Sequence, residues 1–159
     1  MVVFVLRQFN RVAVEPGAVE VIDGDSMRRG KDEIRLNGID APEYRQTCRD
    51  EAGKDWSCGK DAASVLRGLV RRADVRCDGI ETDRYGRVVA DCYAGALSLN
   101  AEMVRLGWAI VYRQHSLKYV GQEEEAKNAK RGIWRGTFED PETWREEHRP
   151  RLGDASAPD

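Results

Sequence analysis

Near the start of the chain, apolar residues recur with the two-residue rhythm of half-buried strands. "AVEVID" (18–23) and "DEIRLNGI" (32–39) alternate in part and are rich in β-forming residues, and "RRGKD" between them carries turn and charged residues. This pattern predicts a meander of strands. "SMRR" (26–29) is expected to continue the first strand beyond a kink at Gly24, where a missing side chain permits a bulge.

The period then lengthens. "CGKDAASVLRGLVRR" (58–72) opens a stripe of Ala62, Leu66, Leu69 and Ala73 spaced three or four apart, with Ala63 and Val70 flanking it, which predicts an amphipathic helix. "DVRCDGI" and "RVVADCYA" read as two strands joined by a turn at "DRYG" (83–86), with Val88 and Val89 supplying β-branched residues suited to a pleated surface. "LSLNAEMVRLGWA" (97–109) predicts a second helix, with Ser98 as cap, Met103 and Leu106 on one side, and Gly107 at the end, where left-handed geometry is tolerated. "YVGQEEEAKNAKRGIW" (119–134) predicts a third, mostly solvated helix. Glu123 and Lys127 stand at i,i+4, and the apolar contacts fall to Ala126, Ala129, Ile133 and Trp134.

Strands, one helix before the last strand pair, then further helices make an α+β order. Five short strands with an intervening helix can close into a small, partly open Greek-key barrel of the oligonucleotide-binding kind, one of several arrangements that the pattern allows. The boundaries read as one domain over 12–145 followed by a flexible tail over 146–159, where "RPRLGDASAPD" lacks apolar mass.

Composition narrows the class. The 159 residues suit one domain with its own core, and 41% hydrophobic with 34% charged residues is a globular balance. Lys and Arg total 26 against 28 Asp and Glu, a formal net charge of -2, so attraction to an anionic polymer has to come from local clustering. No apolar run approaches the roughly 20 residues that span a bilayer. "MVVFVLRQFN" is interrupted by Arg7 and Gln8 before it resembles an export signal.

The four cysteines include no CxxC pair, and only two histidines, His115 and His148, accompany them, which argues against zinc. Cys77 and Cys92 flank "DRYG" almost symmetrically, so a hairpin there brings the sulfurs together. Cys48 and Cys58 bracket the polar loop "RDEAGKDWS". Two disulfides, and with them an oxidising compartment, are favoured over four thiols.

Asp25, Asp40 and Glu43 carry the chemistry. "DGDS" sets Asp23 and Asp25 at a bend ending one strand, and "IDAPE" sets Asp40 and Glu43 at the end of another, stiffened by Pro42. Taken alone "DGD" is an ordinary turn. If the strands are neighbours the acids converge, and an all-oxygen set suits a hard cation such as Ca²⁺ or Mg²⁺. Arg35 must point opposite to Ile34 and Leu36, and Arg87 begins the strand after "DRYG". Either arginine alone reads as a surface residue or an ion-pair partner. Two guanidinium forks beside three acids suit a phosphodiester.

Taken in order, "VIDGDS", "IRLNGIDAPE", "DRYGR", "VRLGWA" and "AKRGIW" resemble the staphylococcal nuclease (thermonuclease) family over roughly residues 18 to 145. The resemblance implies a five-stranded oligonucleotide-binding barrel with three α-helices, and Ca²⁺-dependent hydrolysis of phosphodiester bonds in DNA and RNA. Carried over residue by residue, it puts the metal carboxylates on Asp25 and Asp40 and the metal-binding backbone carbonyl on Ala41. The water-orienting acid falls on Glu43, and the phosphate-gripping arginines fall on Arg35 and Arg87. Ser26 stands where many relatives carry Thr, and the cysteine pairs depart from the staphylococcal enzyme.

Around that centre, Arg84 and Tyr85 are placed to touch a phosphate and a sugar or base, and Tyr112 to stack on a base; packing at a barrel rim is the competing role for both tyrosines. Trp108, Trp134 and Trp144 are read as anchors of helices and tail, and His115 and His148 as surface residues. A monomer acting on DNA and RNA, periplasmic or secreted, is the expectation. A non-catalytic nucleic-acid or protein-binding module on the same barrel, and an extracytoplasmic calcium-binding structural domain, are the alternatives.

Overall fold

The computed structural model describes Val12 and residues 18–150, so the opening apolar burst and residues 151–159 of the tail lie outside the described residues. A curled sheet forms a half-barrel from β1 (Glu20–Asp23), β2 (Ser26–Arg29), β3 (Asp32–Leu36), β7 (Val75–Thr82) and β8 (Val88–Ala94). Its order is β1-β2-β3-β8-β7, and the two-residue β9 (Leu97–Ser98) pairs with β8. Short antiparallel pairs complete it: β4 (Ile39–Asp40) with β10 (Ile110–Val111), and β5 (Cys48–Arg49) with β6 (Asp55–Trp56). The helices are α1 (Cys58–Val70), α2 (Leu99–Arg105), α3 (Val120–Asn128) and α4 (Pro141–Glu147). This is the oligonucleotide-binding type of α+β fold, with four α-helices among the described residues where three were expected.

The β1–β2 register corrects one expectation. Asp23 pairs with Ser26, so the chain reverses at Gly24–Asp25 and "SMRR" returns as the next strand. A Cβ on Gly24 would lie 2.8 Å from both the Ala41 and Ala62 side chains, so glycine lets this turn sit flush against α1 and the segment after β4. In β3 the alternation holds: Ile34 and Leu36 are buried in the core, leaving Arg35 on the opposite face.

The main core lies between the sheet and α1 and α2. Met27, Ile34, Leu66, Leu99 and Met103 are fully enclosed in it. On α1, Ala62, Ala63, Leu66 and Leu69 are buried as expected, while Ala73 lies past the helix end and is exposed. Buried Asn100 crosses the seam between α2 and the sheet, accepting from Cys92 N–H and donating to the Asn37 and Ala90 carbonyls. Its three partners satisfy backbone groups that would otherwise be buried alone.

The later helices are shorter than their patterns. The Ser98 side chain accepts from Ala101 N–H and caps α2, so Leu97 and Ser98 pair as strand, and Gly107 follows the helix with φ 81°. The α3 segment breaks where Lys130 and Gly132 take φ of 52° and 54°, and Gly132–Arg135 resumes as a 3-10 turn. Ala129 is exposed, whereas Glu123, assigned to the solvated face, is buried: it accepts from Val111 N–H and from Arg113.

A smaller core gathers Cys48, Cys58 and Ile133 with Trp56, Trp134 and Phe138. Both expected disulfides are present, Cys48–Cys58 inside this cluster and Cys77–Cys92 across the β7–β8 pair, where the two residues are register partners. The second bridge spans 15 residues of sequence. Replacing both of its cysteines with alanine is expected to lower unfolding free energy by about 3 kcal/mol, because the unfolded chain regains loop entropy. Urea denaturation checks this, and an unchanged midpoint would show the bridge adds nothing.

Candidate active site

Three strand ends deliver the site. The Gly24–Asp25 turn, the exposed face of β3 and the exit of β4 adjoin one another, tied by Leu36 N–H donating to the Asp25 carbonyl at 2.8 Å. Parallel pairing of β3 with β8 sets Arg35 beside Val89. Strand alternation then puts Arg87, two residues before Val89, on the same face as Arg35. Asp25, Arg35 and Arg87 border a cleft of about 1120 Å³, together with Asp23, Glu43, Arg84, Tyr85 and Tyr112, whereas Asp40 and Ala41 are buried and do not line it.

Arg35, its side chain only 13% exposed, lies within 3.0 Å of Asp25 and 3.5 Å of Asp40, with Nη2 donating to the Ile39 carbonyl at 2.9 Å. Burial alone would lower its guanidinium pKa, but the Asp25, Asp40 and Asp23 carboxylates outweigh it and raise it. Asp25 Oδ2 also accepts the Ala41 N–H at 2.7 Å. Asp23 holds the turn, accepting from Ser26 Oγ at 2.6 Å, so the ordinary turn role of "DGD" and its membership of the acidic cluster coexist. Burial, and after it the Asp25 charge, push the Asp23 carboxyl up to about 8. Burial and Asp25 likewise push Asp40 up to about 6, against the pull of Arg145 and Arg35.

Arg145, on the unpredicted α4, completes the centre. Its fork grips Asp40 through Nη1–Oδ1 at 2.9 Å and Nη2–Oδ2 at 3.1 Å, and Nη1 also donates to Glu43 Oε1 at 2.8 Å. Buried Gln46 fixes the Glu43 loop, accepting from Glu43 N–H at 3.1 Å and donating to the Glu139 carbonyl at 2.8 Å, which couples that loop to the approach to α4. Both partners of Arg145 are distant along the chain, and Gln46, though three residues from Glu43, takes its coupling role from Glu139, 93 residues on, so neither link leaves a local sequence signal. Gly59 is a further constraint: a Cβ there would collide with the Glu43 carbonyl oxygen, so the first turn of α1 seats directly on the loop that carries Glu43.

Arg87 stands at the other side of the cleft. Its Nε donates to Asp83 Oδ2 at 2.7 Å, and Asp83 also accepts from the backbone of Tyr85 and Arg87, so the turn orients the guanidinium. Arg84 lies 4.8 Å from the centre of the exposed Tyr85 ring. Tyr112 stacks on His115 with ring centres 4.6 Å apart, and Trp144 on His148 at 3.9 Å. All four rings border the cleft. Trp108 and Trp134 do pack against the cores, but Trp144 faces the site.

The acidic donors are hard oxygens without thiol or imidazole, the set suited to a hard divalent cation. Among the described residues no group of three or more His, Cys, Asp or Glu side chains is gathered as a ready cation cage, and Asp40 turns both oxygens to Arg145. The donor chemistry fits such a cation, and the guanidinium contests the place.

An oligonucleotide-binding barrel whose strand ends bring carboxylates and guanidiniums into one cleft defines the class of protein. A family profile described as "Staphylococcal nuclease homologue" matches residues 33–136. The chain is 39% identical over 129 residues to the succinoglycan biosynthesis protein ExoI of Rhizobium meliloti, covering 77% of this chain and 67% of that protein. It is 35% identical over 123 residues to an uncharacterized endonuclease of Escherichia coli, covering 73% and 74% respectively. With the probable staphylococcal-like nuclease CAN2 of Oryza sativa subsp. japonica it shares 30% over 134 residues, 82% of this chain and 34% of that longer protein. The chain belongs to the staphylococcal nuclease family.

Proposed function

We propose that this protein is a nuclease that hydrolyses phosphodiester bonds of DNA and RNA with Ca²⁺ as its cation. The observation that carries the reading is the meeting of Asp25, Arg35, Asp40 and Glu43 within hydrogen-bonding reach of shared partners, at a cleft that Asp25, Arg35, Glu43 and Arg87 border.

Hydrolysis adds a water oxygen to phosphorus, breaks the bond to the leaving oxygen and builds charge on the non-bridging oxygens. Catalysis is therefore mostly alignment and charge stabilisation. Asp25, Asp40 and the Ala41 carbonyl would hold the cation, which polarises a phosphate oxygen when bound. Arg35, already fixed by Asp25 and the Ile39 carbonyl, and Arg87, aimed by Asp83, hydrogen-bond the phosphoryl oxygens, and these contacts strengthen as charge develops. Glu43 orients the attacking water. Arg84, Tyr85 and Tyr112 grip the flanking phosphate, sugar and base, since stacking on an aromatic face is tolerant of sequence. The protein acts as a monomer. Two disulfides suit an oxidising setting, periplasmic or secreted, and among the described residues no helix is long and apolar enough to cross a membrane.

Incubation with single-stranded DNA and with RNA, in Ca²⁺ and in chelator, tests this reading. Cleavage in Ca²⁺ that chelator abolishes is expected. Tight binding without cation-dependent cleavage would instead make the protein a binding module.

A further inference from the structure

Arg145 joins the acidic centre from beyond the C-terminal end of the stretch matched to the family profile, which closes at residue 136. Its helix is nonetheless built to hold it there. Asp140 caps α4 by accepting Glu142 N–H, Pro141 is buried in the first turn, and Gln46 ties the preceding Glu139 carbonyl to the Glu43 loop. The fork grips both oxygens of Asp40, whose side chain is 1% exposed, and the remaining contact is to Glu43. A bidentate guanidinium–carboxylate pair is among the stronger polar contacts in a protein and has directional demands that a surface pair lacks.

Four acids, Asp23, Asp25, Asp40 and Glu43, face the two guanidiniums of Arg35 and Arg145. Arg35 is locked in place by Asp25 and two backbone carbonyls besides. Arg145 has no such second anchor among the described residues: its guanidinium bonds only the two carboxylates that the proposed chemistry needs, and its side chain is 36% exposed toward the cleft. It is thus the positive group of this centre that can leave by rotating its side chain into solvent.

We propose that Arg145 is a built-in counter-cation that competes with the divalent cation for Asp40, so that α4 sets the cation affinity of the site. Bound to Asp40 and Glu43, it keeps the buried acids neutralised and correctly placed in cation-free protein. Displaced by a divalent ion, it swings into the cleft that takes the phosphodiester. The inference rests on the metal-dependent reading above, and it makes Arg145 a positioning residue.

Calorimetric titration of wild type, Arg145→Gln and Arg145→Lys with CaCl₂ alone tests it, with thermal melts in chelator and in Ca²⁺ alongside. Removing a charged bidentate competitor is expected to tighten Ca²⁺ binding by about tenfold or more in Arg145→Gln. Arg145→Lys, which keeps the charge without the fork, should fall between. Arg145→Gln should melt lower than wild type in chelator and regain more stability on Ca²⁺ addition. Equal or weaker Ca²⁺ binding by Arg145→Gln would overturn the inference, and wild-type cleavage in Ca²⁺ would leave the nuclease reading standing. Ca²⁺ binding by neither wild type nor Arg145→Gln would end both.

Discussion

Replacing Glu43 with alanine is expected to lower turnover by about three powers of ten, the range for removing a group that both orients water and assists proton transfer. Fold and stability should change little, because the Glu43 carboxylate is partly exposed and bonded to Arg145 alone, while its loop is pinned through backbone groups by Gln46 and by the close seat of Gly59. Steady-state cleavage of single-stranded DNA, paired with a urea denaturation curve, separates the two effects. Near-normal turnover in a folded Glu43→Ala variant would remove Glu43 from the reaction. The same variant should also keep its Arg145–Asp40 pair, so a large drop in stability would show that Glu43 has a structural role not visible in its contacts.

Arg35→Ala is expected to act on stability and turnover together. Its guanidinium is the partner of Asp25 at 3.0 Å and a second partner of Asp40, and both carboxylates are buried. Breaking a buried pair by removing one member leaves the other uncompensated, with a loss of about 3–5 kcal/mol. Loss of one preorganised donor to the transition state lowers the rate by about 10²–10³-fold as well. Arg35→Lys restores charge without the planar fork, so it should recover part of the stability and less of the turnover. Denaturation and kinetics on the two variants check this contrast, and an Arg35→Ala protein as stable as wild type would contradict the burial argument.

Much of this centre was legible because strand physics is local. Arg35 between two core residues could point only away from them, whereas its parity with Val89 and Arg87 comes from the parallel β3–β8 pairing, a long-range contact that no local pattern announces. Cys77 and Cys92 were equidistant from a turn, so antiparallel register made them partners. The reversal at Gly24 was misread because two four-residue strands flanking a two-residue turn carry the same alternation as one kinked strand. Two-residue strands such as β4 and β10 are too short to leave any period, and their pairing is set by tertiary contact.

Helix α4 had a usable start signal, Asp140 followed by Pro141, but its seven residues are mostly charged and present little apolar face. The role of Arg145 was hidden more deeply, since its contact with Asp40 spans 105 residues of sequence. Glu123 illustrates the opposite hazard. Within "QEEEAK" it reads as solvated, yet it is turned inward to serve the Val111 N–H and the Arg113 guanidinium. A buried carboxylate of this kind is stabilised by partners that no i,i+4 count reveals.

The most direct test of the central claim is a backbone-amide NMR titration of the wild-type protein with Ca²⁺ and a non-cleavable phosphorothioate oligonucleotide. The account predicts that the shifts concentrate on residues 23–26, 35–43, 83–89, 112–115 and 142–149. A second groove, of about 1030 Å³ and bordered by Arg29, Arg67, Arg71 and Arg76, lies between β1, β7 and the end of α1. Shifts concentrated on that groove, with the acidic cleft undisturbed, would contradict it.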